Sequence, residues 1–393
     1  MMHSLLIAAL AAAAGCMQVG AGVPDLPCGW CTCTSLEGGH YEMRGGGNGK
    51  SVTLTAGSGD SRDALEQAIR QNDVIILDGS EGPFVVSKTI KFENVAHKTI
   101  VGINGAQVRT MLEMNDDIRA LMQAEVPSGL SSTSGGGTLS NGKVVREAQA
   151  FRIRQALIDY TGDQDESYRN AGIFKFWSGC EDLIIRDIAF VGPGSLDIDG
   201  NHLMEFAAGA HHIWIDHCSF TDAQRTSLYF GAKSDFASVT WCTFDNTERS
   251  LSHRLSTLVG GEDKPEKYGM DNLNVTYAWC SWGPGVTGRT PMVRFGNVHC
   301  VNCYYNCHQD TIDPRTDSEV RVENCYFDIG VAPIVPRYPE RLPAKAYEYV
   351  GNYSASGETF TSDGNVTMPY IIDILPARKV KRAVLNGAGP RNK

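Results

Sequence analysis

Asp216 and His217 stand out first as residues that could do chemistry, because a carboxylate beside an imidazole can act as an acid/base pair. They follow the apolar stretch Ile213-Trp214-Ile215, which predicts a β-strand. Neighbouring residues on a strand point to opposite faces of the sheet. We therefore predict that the two side chains do not form a simple acid/base pair and that both serve mainly as scaffold.

Three cysteines near the N-terminus form a second candidate cluster. Cys28, Cys31 and Cys33 have the spacing CxxCxC, and thiolates are good zinc ligands. A zinc site would need a fourth ligand in a compact context, and none is evident in the sequence. The cluster is better explained by a disulfide or by an exposed leader segment.

The net charge excludes one broad class of function. The chain has 35 Lys and Arg residues against 45 Asp and Glu residues, which gives a formal net charge of -10. Such an acidic protein is not expected to bind nucleic acid in general. A local cluster of arginines could still line a cleft and bind a polyanionic ligand.

A short phrase of cysteine, a small or aromatic residue, and an aromatic residue indicates the fold that must position these residues. It occurs at Cys218-Ser219-Phe220, Cys242-Thr243-Phe244, Cys280-Ser281-Trp282, Cys303-Tyr304-Tyr305 and Cys325-Tyr326-Phe327, with Ile188-Ala189-Phe190 as a related earlier copy. The cysteines are 24, 38, 23 and 22 residues apart. A repeat of strands at this period predicts a parallel β-helix in which equivalent residues stack from coil to coil. The five cysteines are then expected to be buried core residues, not disulfide or metal ligands.

The segments outside the repeat complete the predicted organisation. Residues 1–22 are predicted to be a signal peptide, or a lipoprotein signal that leaves Cys16 lipidated, because Leu5 to Ala14 is a short apolar run. Residues 23–59 are predicted to be a leader, and residues 60–393 a single β-helix domain with an insertion at 106–172. We expect a secreted or cell-envelope protein that is monomeric and touches membrane only through a lipid on Cys16.

Helices are predicted at both ends of the solenoid and within the insertion. The first runs from Ser61, as its cap, to Gln71, with Ala64, Leu65, Ala68 and Ile69 on one face. It is expected to cover the open end of the solenoid. The insertion is predicted to hold helices at 111–124 and 144–160, and a last helix is predicted from Pro376 to Leu385. The fold class is thus all-β: a right-handed parallel β-helix with a capping helix, a partly helical insertion and a C-terminal helix.

Two motifs make the chain resemble the family 1 polysaccharide lyases, which are the pectate and pectin lyases. The first is the strand from Ile213 to Phe220, which is similar to the WIDH-type strand of that family. The second is the segment from Gly288 to Gly296, which is similar to the family's R-x-P-x-x-R-x-G motif. The resemblance extends over roughly residues 60–388 and implies the same parallel β-helix that the repeat predicts.

The resemblance also implies a reaction, the β-elimination of a uronic-acid glycoside. This reaction removes the proton from C5 of the sugar, stabilises the resulting charge and expels the oxygen at C4. The family's base corresponds to Arg289, and the arginine that binds a substrate carboxylate corresponds to Arg294, whose planar fork suits that ligand. Arg254 is the best candidate for the family's substrate-binding lysine, with a shift of one residue in the alignment.

The chain departs from the resemblance at the calcium site. Pectate lyases hold Ca²⁺ between acidic residues on neighbouring coils and the substrate carboxylate. The corresponding positions here are His202, Arg225 and Tyr229, which we predict to bind substrate instead. Asp199 and Asp222 are the nearest remaining acids and are only weak metal candidates. Ca²⁺ is therefore implied by the resemblance and disfavoured by the residues.

Three functions stay open from the sequence, and all of them take a pectic polysaccharide as the partner. The first is a pectate lyase that cleaves polygalacturonan without the usual calcium ligands. The second is a pectin lyase for methyl-esterified homogalacturonan, in which Arg225 takes the place of the metal charge. The third is a β-helix that binds pectin without cutting it, against which the presence of both Arg289 and Arg294 argues.

Overall fold

The computed structural model describes residues 26–113, 171–195, 201–250, 254–269, 271–307, 311–332 and 342–391, together with residues 116, 117, 120, 155, 158 and 159. The predicted signal segment with Cys16, the metal candidate Asp199, and most of the insertion with its two predicted helices lie outside the described residues. None of the helices in the described part of the chain has the length and apolar character needed to cross a membrane.

Three parallel sheets run along the solenoid, and each of its central coils contributes one strand to each sheet in turn. The ten-stranded sheet consists of β1 (Ser51–Thr55), β2 (Val74–Asp78), β5 (Ala96–Ile103), β8 (Glu181–Arg186), β11 (His211–Asp216), β14 (Asp235–Thr240), β17 (Val275–Ala278), β20 (Asn297–Val301), β23 (Glu319–Glu323) and β25 (Ala346–Val350). The nine-stranded sheet consists of β3 (Phe84–Val86), β6 (Gln107–Thr110), β9 (Ala189–Val191), β12 (Ser219–Thr221), β15 (Thr243–Asp245), β18 (Ser281–Trp282), β21 (Tyr304–Tyr305), β24 (Tyr326–Phe327) and β26 (Tyr353–Ser354). The seven-stranded sheet consists of β4 (Ile90–Phe92), β7 (Phe174–Phe176), β10 (Met204–Phe206), β13 (Leu228–Phe230), β16 (Thr257–Val259), β19 (Met292–Arg294) and β22 (Asp313–Arg315). The predicted all-β parallel β-helix is confirmed.

Single residues make the corner between the ten-stranded and nine-stranded sheets. Each follows a strand of the ten-stranded sheet directly and has a left-handed backbone, for example His217 (φ 49°), Trp241 (φ 52°) and Trp279 (φ 54°). One residue with positive φ turns the chain sharply, so the next strand begins almost at once. These corners keep equivalent residues of successive coils in register.

The core is built from stacked equivalents, as the cysteine-aromatic phrase predicted. Phe220, Phe244, Trp282 and Tyr305 stack with ring centroids 5.2, 5.4 and 4.9 Å apart. Phe190 continues the stack 5.2 Å before Phe220, which confirms the earlier copy of the phrase. The five cysteines of the phrase are fully buried beside this stack and are free thiols.

Two helices lie close to the positions predicted near the two ends of the chain. Helix α1 (Arg62–Gln71) buries Leu65, Ala68 and Ile69 against the first coils. Its cap differs from the prediction, because the Ser61 side chain makes no capping bond. Asp60 accepts the Arg62 backbone N–H at 3.0 Å instead, and a carboxylate serves this role well at a helix N-terminus.

The two later helices pack on the outside of the coils. Helix α2 (Pro265–Tyr268) buries Tyr268. Helix α3 (Ala377–Gly387) buries Ala377, Val380 and Val384, which agrees with the predicted C-terminal helix. Val380 and Val384 contact the corner tryptophans Trp241 and Trp279 in one hydrophobic cluster.

The leader is part of the folded solenoid, and the prediction of an exposed or disulfide-bonded segment was wrong. Cys28, Cys31 and Cys33 are free thiols, and Trp30 and Cys31 are buried on the outer face of the ten-stranded sheet. Thr276 accepts the backbone N–H of Trp30 at 3.0 Å, and Ser238 accepts that of Cys31 at 3.1 Å. The three cysteines therefore serve as small apolar side chains in this packing.

Two predicted boundaries also differ from the observed strands. Strand β1 lies within the predicted leader and pairs with β2 from Ser51↔Val74 to Thr55↔Asp78, so the solenoid begins before residue 60. Strand β6 lies within the predicted insertion, yet it pairs with β3 and β9 in the nine-stranded sheet. Both segments were misassigned because their short alternating patterns lack the cysteine phrase.

Candidate active site

The outer face of the seven-stranded sheet carries a row of equivalent side chains. Lys175, Glu205, Tyr229, Leu258 and Met292 occupy the same position on successive strands. Their neighbours along each strand, such as Phe206 and Phe230, are fully buried in the core. Because side chains alternate along a strand, this row faces away from the core, toward the predicted site.

Arg289 lies beside this row, at the end of the loop that leads into β19. Its backbone is left-handed (φ 58°), and its carbonyl accepts the backbone N–H of Thr257 at 2.6 Å. Its guanidinium donates to Thr226 Oγ1 at 3.1 Å. The side chain therefore reaches across the coil of β16 toward the coil of β13, close to Tyr229.

The environment of Arg289 makes its guanidinium unusually easy to deprotonate. Burial, followed by the charges of Arg225, Arg294 and Arg315, lowers the pKa of Arg289 from 12.5 to about 9. Each of these effects disfavours another positive charge at that place. An arginine is ordinarily a poor base because its usual pKa lies far above neutrality, and this environment removes much of that difficulty.

Arg294 is held by protein groups in this structure. Its Nε donates to Asp263 Oδ1 at 2.7 Å, and its Nη1 donates to the Gly260 carbonyl at 3.3 Å. Thr316 Oγ1 donates to the same oxygen of Asp263 at 2.6 Å. Arg294 is buried, with only 7% of its surface exposed. It lies at the end of β19, the strand that follows Arg289, and its guanidinium already pairs with the carboxylate of Asp263.

His202 and Tyr229, two of the positions that correspond to calcium ligands, pack against each other. Their ring centroids lie 4.3 Å apart, and the Tyr229 hydroxyl is 3.2 Å from that of Tyr268. Burial, together with the charges of Arg225 and Arg289, lowers the pKa of His202 well below its usual value, so the imidazole is neutral. Burial, then the contact with Tyr268, raises the pKa of Tyr229, so the phenol keeps its proton.

Glycines make room for the Tyr229 ring. A Cβ at Gly231 would lie 2.5 Å from Tyr229 Cζ, and one at Gly261 would lie 2.6 Å from the Tyr229 hydroxyl oxygen. Both distances are far below van der Waals contact. Side chains at these two positions are excluded while Tyr229 keeps its place.

These side chains do not fit Ca²⁺. The ion takes six to eight oxygen ligands, many of them carboxylates, whereas His202, Arg225 and Tyr229 offer a neutral imidazole, a cation and a protonated phenol. Asp222 is buried, and its oxygens accept bonds from Thr247 N (2.8 Å), Thr247 Oγ1 (2.6 Å) and Ser250 Oγ (2.9 Å). It is thus committed to holding a loop. Over the described ranges, no three His, Cys, Asp or Glu side chains gather in a way that could hold a metal ion.

Arg254 lies on the loop between β15 and β16. Its Nε donates to the Ser250 carbonyl at 2.7 Å, and its own carbonyl accepts the backbone N–H of Thr287 at 2.9 Å. Thr287 lies two residues before Arg289. The predicted substrate-binding arginine therefore supports the loop that carries the predicted base.

Asp216 and His217 lie away from this row, at a corner between the other two sheets. The prediction that they point to opposite faces was wrong, because His217 is a left-handed corner residue and its Nδ1 lies 2.8 Å from Asp216 Oδ2. Burial alone would raise the pKa of Asp216, but His217 and Arg186 outweigh burial and lower it to about 2. The pair is buried next to the Trp241 corner, which fits a scaffold role.

The sequence did not single out Thr226, Asp263 or Tyr268, although each holds a site residue. Thr226 lies 63 residues from its partner Arg289, and Asp263 lies 31 residues from Arg294. Such pairs become visible only when the coils are aligned. One local pattern could have pointed to Asp263: Gly260 and Gly261 lie just before it, and a pair of glycines predicts a turn.

Comparisons with known proteins identify the family of this chain. A sequence model described as pectate lyase matches residues 140–384. A pectate trisaccharide-lyase from Thermotoga sp. (strain RQ2) is 33% identical over 132 residues, which cover 32% of this chain and 34% of that protein. A probable pectate lyase A from Aspergillus fumigatus is 27% identical over 182 residues, which cover 46% of this chain and 55% of that protein. The chain thus spans between a third and just over half of the length of these relatives.

The fold has close counterparts among solved structures. A pectate lyase from Bacillus sp. N165, solved in complex with trigalacturonate, superposes with a TM-score of 0.62 at 16% identity and covers 92% of this chain and 98% of its own. At that identity the likeness concerns the fold alone. The family match covers well over half of the chain and includes every strand that surrounds Arg289, so this chain belongs to the pectate lyase family.

Proposed function

We propose that this protein cleaves pectic polygalacturonan by β-elimination, with Arg289 as the base. The lowered pKa of Arg289, about 9, is the observation that carries the proposal, because it supplies a neutral guanidine within reach of moderately alkaline pH. A general base works best when its pKa is near the working pH. The family membership and the trigalacturonate bound to one structural neighbour support the same substrate.

In the proposed step, neutral Arg289 takes the proton from C5 of the sugar beside the cleaved bond. The electrons of the C5–H bond form the C4–C5 double bond, and the C4–O bond breaks toward the leaving sugar, whose oxygen takes a proton from solvent. Arg225 stabilises the charge that develops near the C6 carboxyl group. It is half-buried, and its charge lowers the pKa of Arg289 more than any other neighbouring charge. No step passes through a metal ion.

A second candidate is cleavage of methyl-esterified pectin, and the same residues favour it. His202 is neutral and Tyr229 is protonated, so this part of the site suits an uncharged ester as well as a carboxylate. Arg225 would then bind the ester carbonyl. The two candidates differ in substrate and not in the base.

The test compares polygalacturonate with methylated pectin, each with and without a calcium chelator. We expect a 4,5-unsaturated product that absorbs in the near-ultraviolet and forms at the same rate with the chelator. Loss of activity with the chelator would overturn the metal-free mechanism. Failure to form the product from either substrate would leave a pectin-binding β-helix as the function.

The matched variant is Arg289→Ala, which removes the base. A general base contributes roughly 10²- to 10⁴-fold to the rate, so we expect kcat to fall by at least that range while the far-ultraviolet circular dichroism is unchanged. Thr226→Val serves as the control, because it removes only the hydrogen bond that orients Arg289 and should cost about tenfold or less. Full activity of Arg289→Ala would contradict the assignment.

An extracellular location would suit a polymeric substrate. We propose export through the apolar run at Leu5 to Ala14, either with cleavage or with a lipid on Cys16, and action as a monomer. Mass spectrometry of the mature protein would distinguish the two forms of export.

A further inference from the structure

The row on the seven-stranded sheet is closed on one side of Tyr229 and open on the other. On the closed side, Leu258, Met292 and Asp313 are only 3–4% exposed. On the open side, exposure increases with distance from Tyr229: Glu205 is 8% exposed, Lys175 is partly exposed and Lys91 is exposed. A chain of sugars that passes Arg289 can therefore extend along the sheet toward β7 and β4.

Two lysines on the open side share one tryptophan. Lys91 Nζ lies 3.7 Å from the centre of the Trp177 ring, and Lys175 Nζ lies 4.5 Å from it. Glu205 accepts from the indole N–H at 3.3 Å and from Lys175 Nζ at 3.1 Å. We call Lys91, Lys175, Trp177 and Glu205 the lysine–tryptophan cluster.

The geometry of this cluster orders the two ammonium groups above the sheet. Cation–π contacts and the ion pair with Glu205 restrict side chains that would otherwise move freely. An ammonium group has three N–H donors. Lys175 uses one on Glu205, and Lys91 uses one on Glu93 at 2.7 Å, so each lysine keeps donors for a ligand.

The cluster is continuous with the surroundings of Arg289. The charge of Lys175 lowers the pKa of the buried His202, as the charges of Arg225 and Arg289 also do. Neighbouring strands lie about 4.8 Å apart, so Lys175 is roughly 10 Å and Lys91 roughly 14 Å from Tyr229 along the sheet. A polymer with one carboxylate on every sugar can reach both lysines while another of its sugars lies at Arg289.

We propose that the lysine–tryptophan cluster is a distal subsite that binds uronate carboxylates of the polysaccharide away from the bond that is cleaved. The inference rests on the proposed pectic ligand. It predicts that long chains gain affinity from the cluster and that chains too short to reach β7 and β4 gain none.

The experiment uses the double variant Lys91→Met/Lys175→Met of the full chain, with Lys345→Met as the control. Lys345 also forms an ion pair, with Glu319 at 3.1 Å, but it lies next to the ten-stranded sheet. Exposed ion pairs each contribute modestly, so loss of both contacts should raise KM for polygalacturonate about tenfold. We expect kcat to stay unchanged, and KM for digalacturonate, which is too short to reach Lys175 from Arg289, to change less than twofold.

Direct binding separates this inference from the proposed function. Affinity electrophoresis in polygalacturonate detects the subsite even if no product forms, and weaker retardation of the double variant than of Lys345→Met would then support the subsite alone. Equal behaviour of the double variant and the control, in both binding and KM, would overturn the inference. Lys91→Met alone, at a side chain that is 45% exposed, gives the same comparison if the double variant fails to fold.

Discussion

At the scale of single residues, the site works by placing cations close together. Arg289 is surrounded by Arg225, Arg294 and Arg315, and their charges add to burial in lowering its pKa. Carboxylates at these places would have the opposite effect on an arginine. The same arrangement lowers the Arg289 pKa and, in the proposed function, also favours an anionic substrate.

The activity should depend on pH in a way that only this environment explains. The base is active when neutral, so kcat/KM should rise about tenfold per pH unit below the Arg289 pKa of about 9 and level off above it. Rates measured from pH 6 to 10 on an ionised substrate check this. Arg225→Gln should move the rise to higher pH, because it removes a neighbouring charge. A profile that is flat below pH 8 would contradict the assignment.

Asp263 should matter for stability through Arg294. Asp263→Asn leaves a buried guanidinium without its carboxylate, and hydrogen bonds to charged groups contribute about 1.5–3 kcal/mol. We expect the free energy of unfolding in urea to fall by about that amount. Glu262→Gln is the control, because its pairs with Lys264 and Lys267 are exposed and should contribute less than about 1 kcal/mol. Equal effects of the two substitutions would contradict the role of Asp263.

The sequence predicts Arg289 and Arg294 as site residues because they lie in one short motif. It could not identify what holds them, because Thr226 and Asp263 lie on other coils. Contacts between coils depend on how many residues each loop adds before the chain returns to the sheet. Such contacts can be predicted from one sequence only after its strands have been assigned to coils.

At the scale of elements, the leader is the least expected part of the fold. Trp30 packs edge-on against Tyr370 at 5.4 Å and near Phe236 at 6.3 Å, so it joins the N-terminal and C-terminal segments over the ten-stranded sheet. A CxxCxC spacing suggested metal or disulfide chemistry. The tryptophan inside that spacing was the more informative residue, because a large aromatic side chain is rarely left exposed.

Trp30→Ala should destabilise the protein without affecting catalysis. Replacing a buried tryptophan by alanine costs about 3–5 kcal/mol, and Trp30 is only 1% exposed. Chemical denaturation should show this loss, while kcat of the folded fraction stays unchanged, because Arg289 lies beside a different sheet. Leu36→Ala, at a residue that is 36% exposed, should cost less than about 1 kcal/mol. A loss of kcat in Trp30→Ala would show that the leader contributes to the site.

At the scale of the whole molecule, stability comes from stacking and not from cross-links. All eleven cysteines in the described part of the chain are free thiols, and ten of them are buried. The repeat phrase predicted this correctly for its five cysteines, since a small apolar residue is needed at the same place on every coil. The phrase could not predict the free thiols of Cys28, Cys31 and Cys33, because these residues lie outside the repeat.

A reducing agent should therefore leave the unfolding transition unchanged. Breaking a native disulfide typically costs about 2–5 kcal/mol, which would lower the Tm by several degrees. We expect no shift between thermal unfolding with and without dithiothreitol. Thiol titration should find the buried cysteines unreactive in the native protein and reactive in urea. A lower Tm under reducing conditions would contradict the free-thiol assignment.

The one-residue corners have a consequence for how such proteins diversify. Because a single left-handed residue makes the corner after each strand of the ten-stranded sheet from β8 to β23, a coil in this part of the solenoid lengthens in its other connections. The interval of 38 residues between Cys242 and Cys280, against 22 to 24 elsewhere, arises in the stretches 246–256 and 260–274, which carry Arg254, Asp263 and Tyr268. The spacing of the core cysteines thus shows which coil carries the long connections that contact Arg294 and the loop of Arg289. In related solenoids, the longest interval should mark the coil on which evolution has built new specificity.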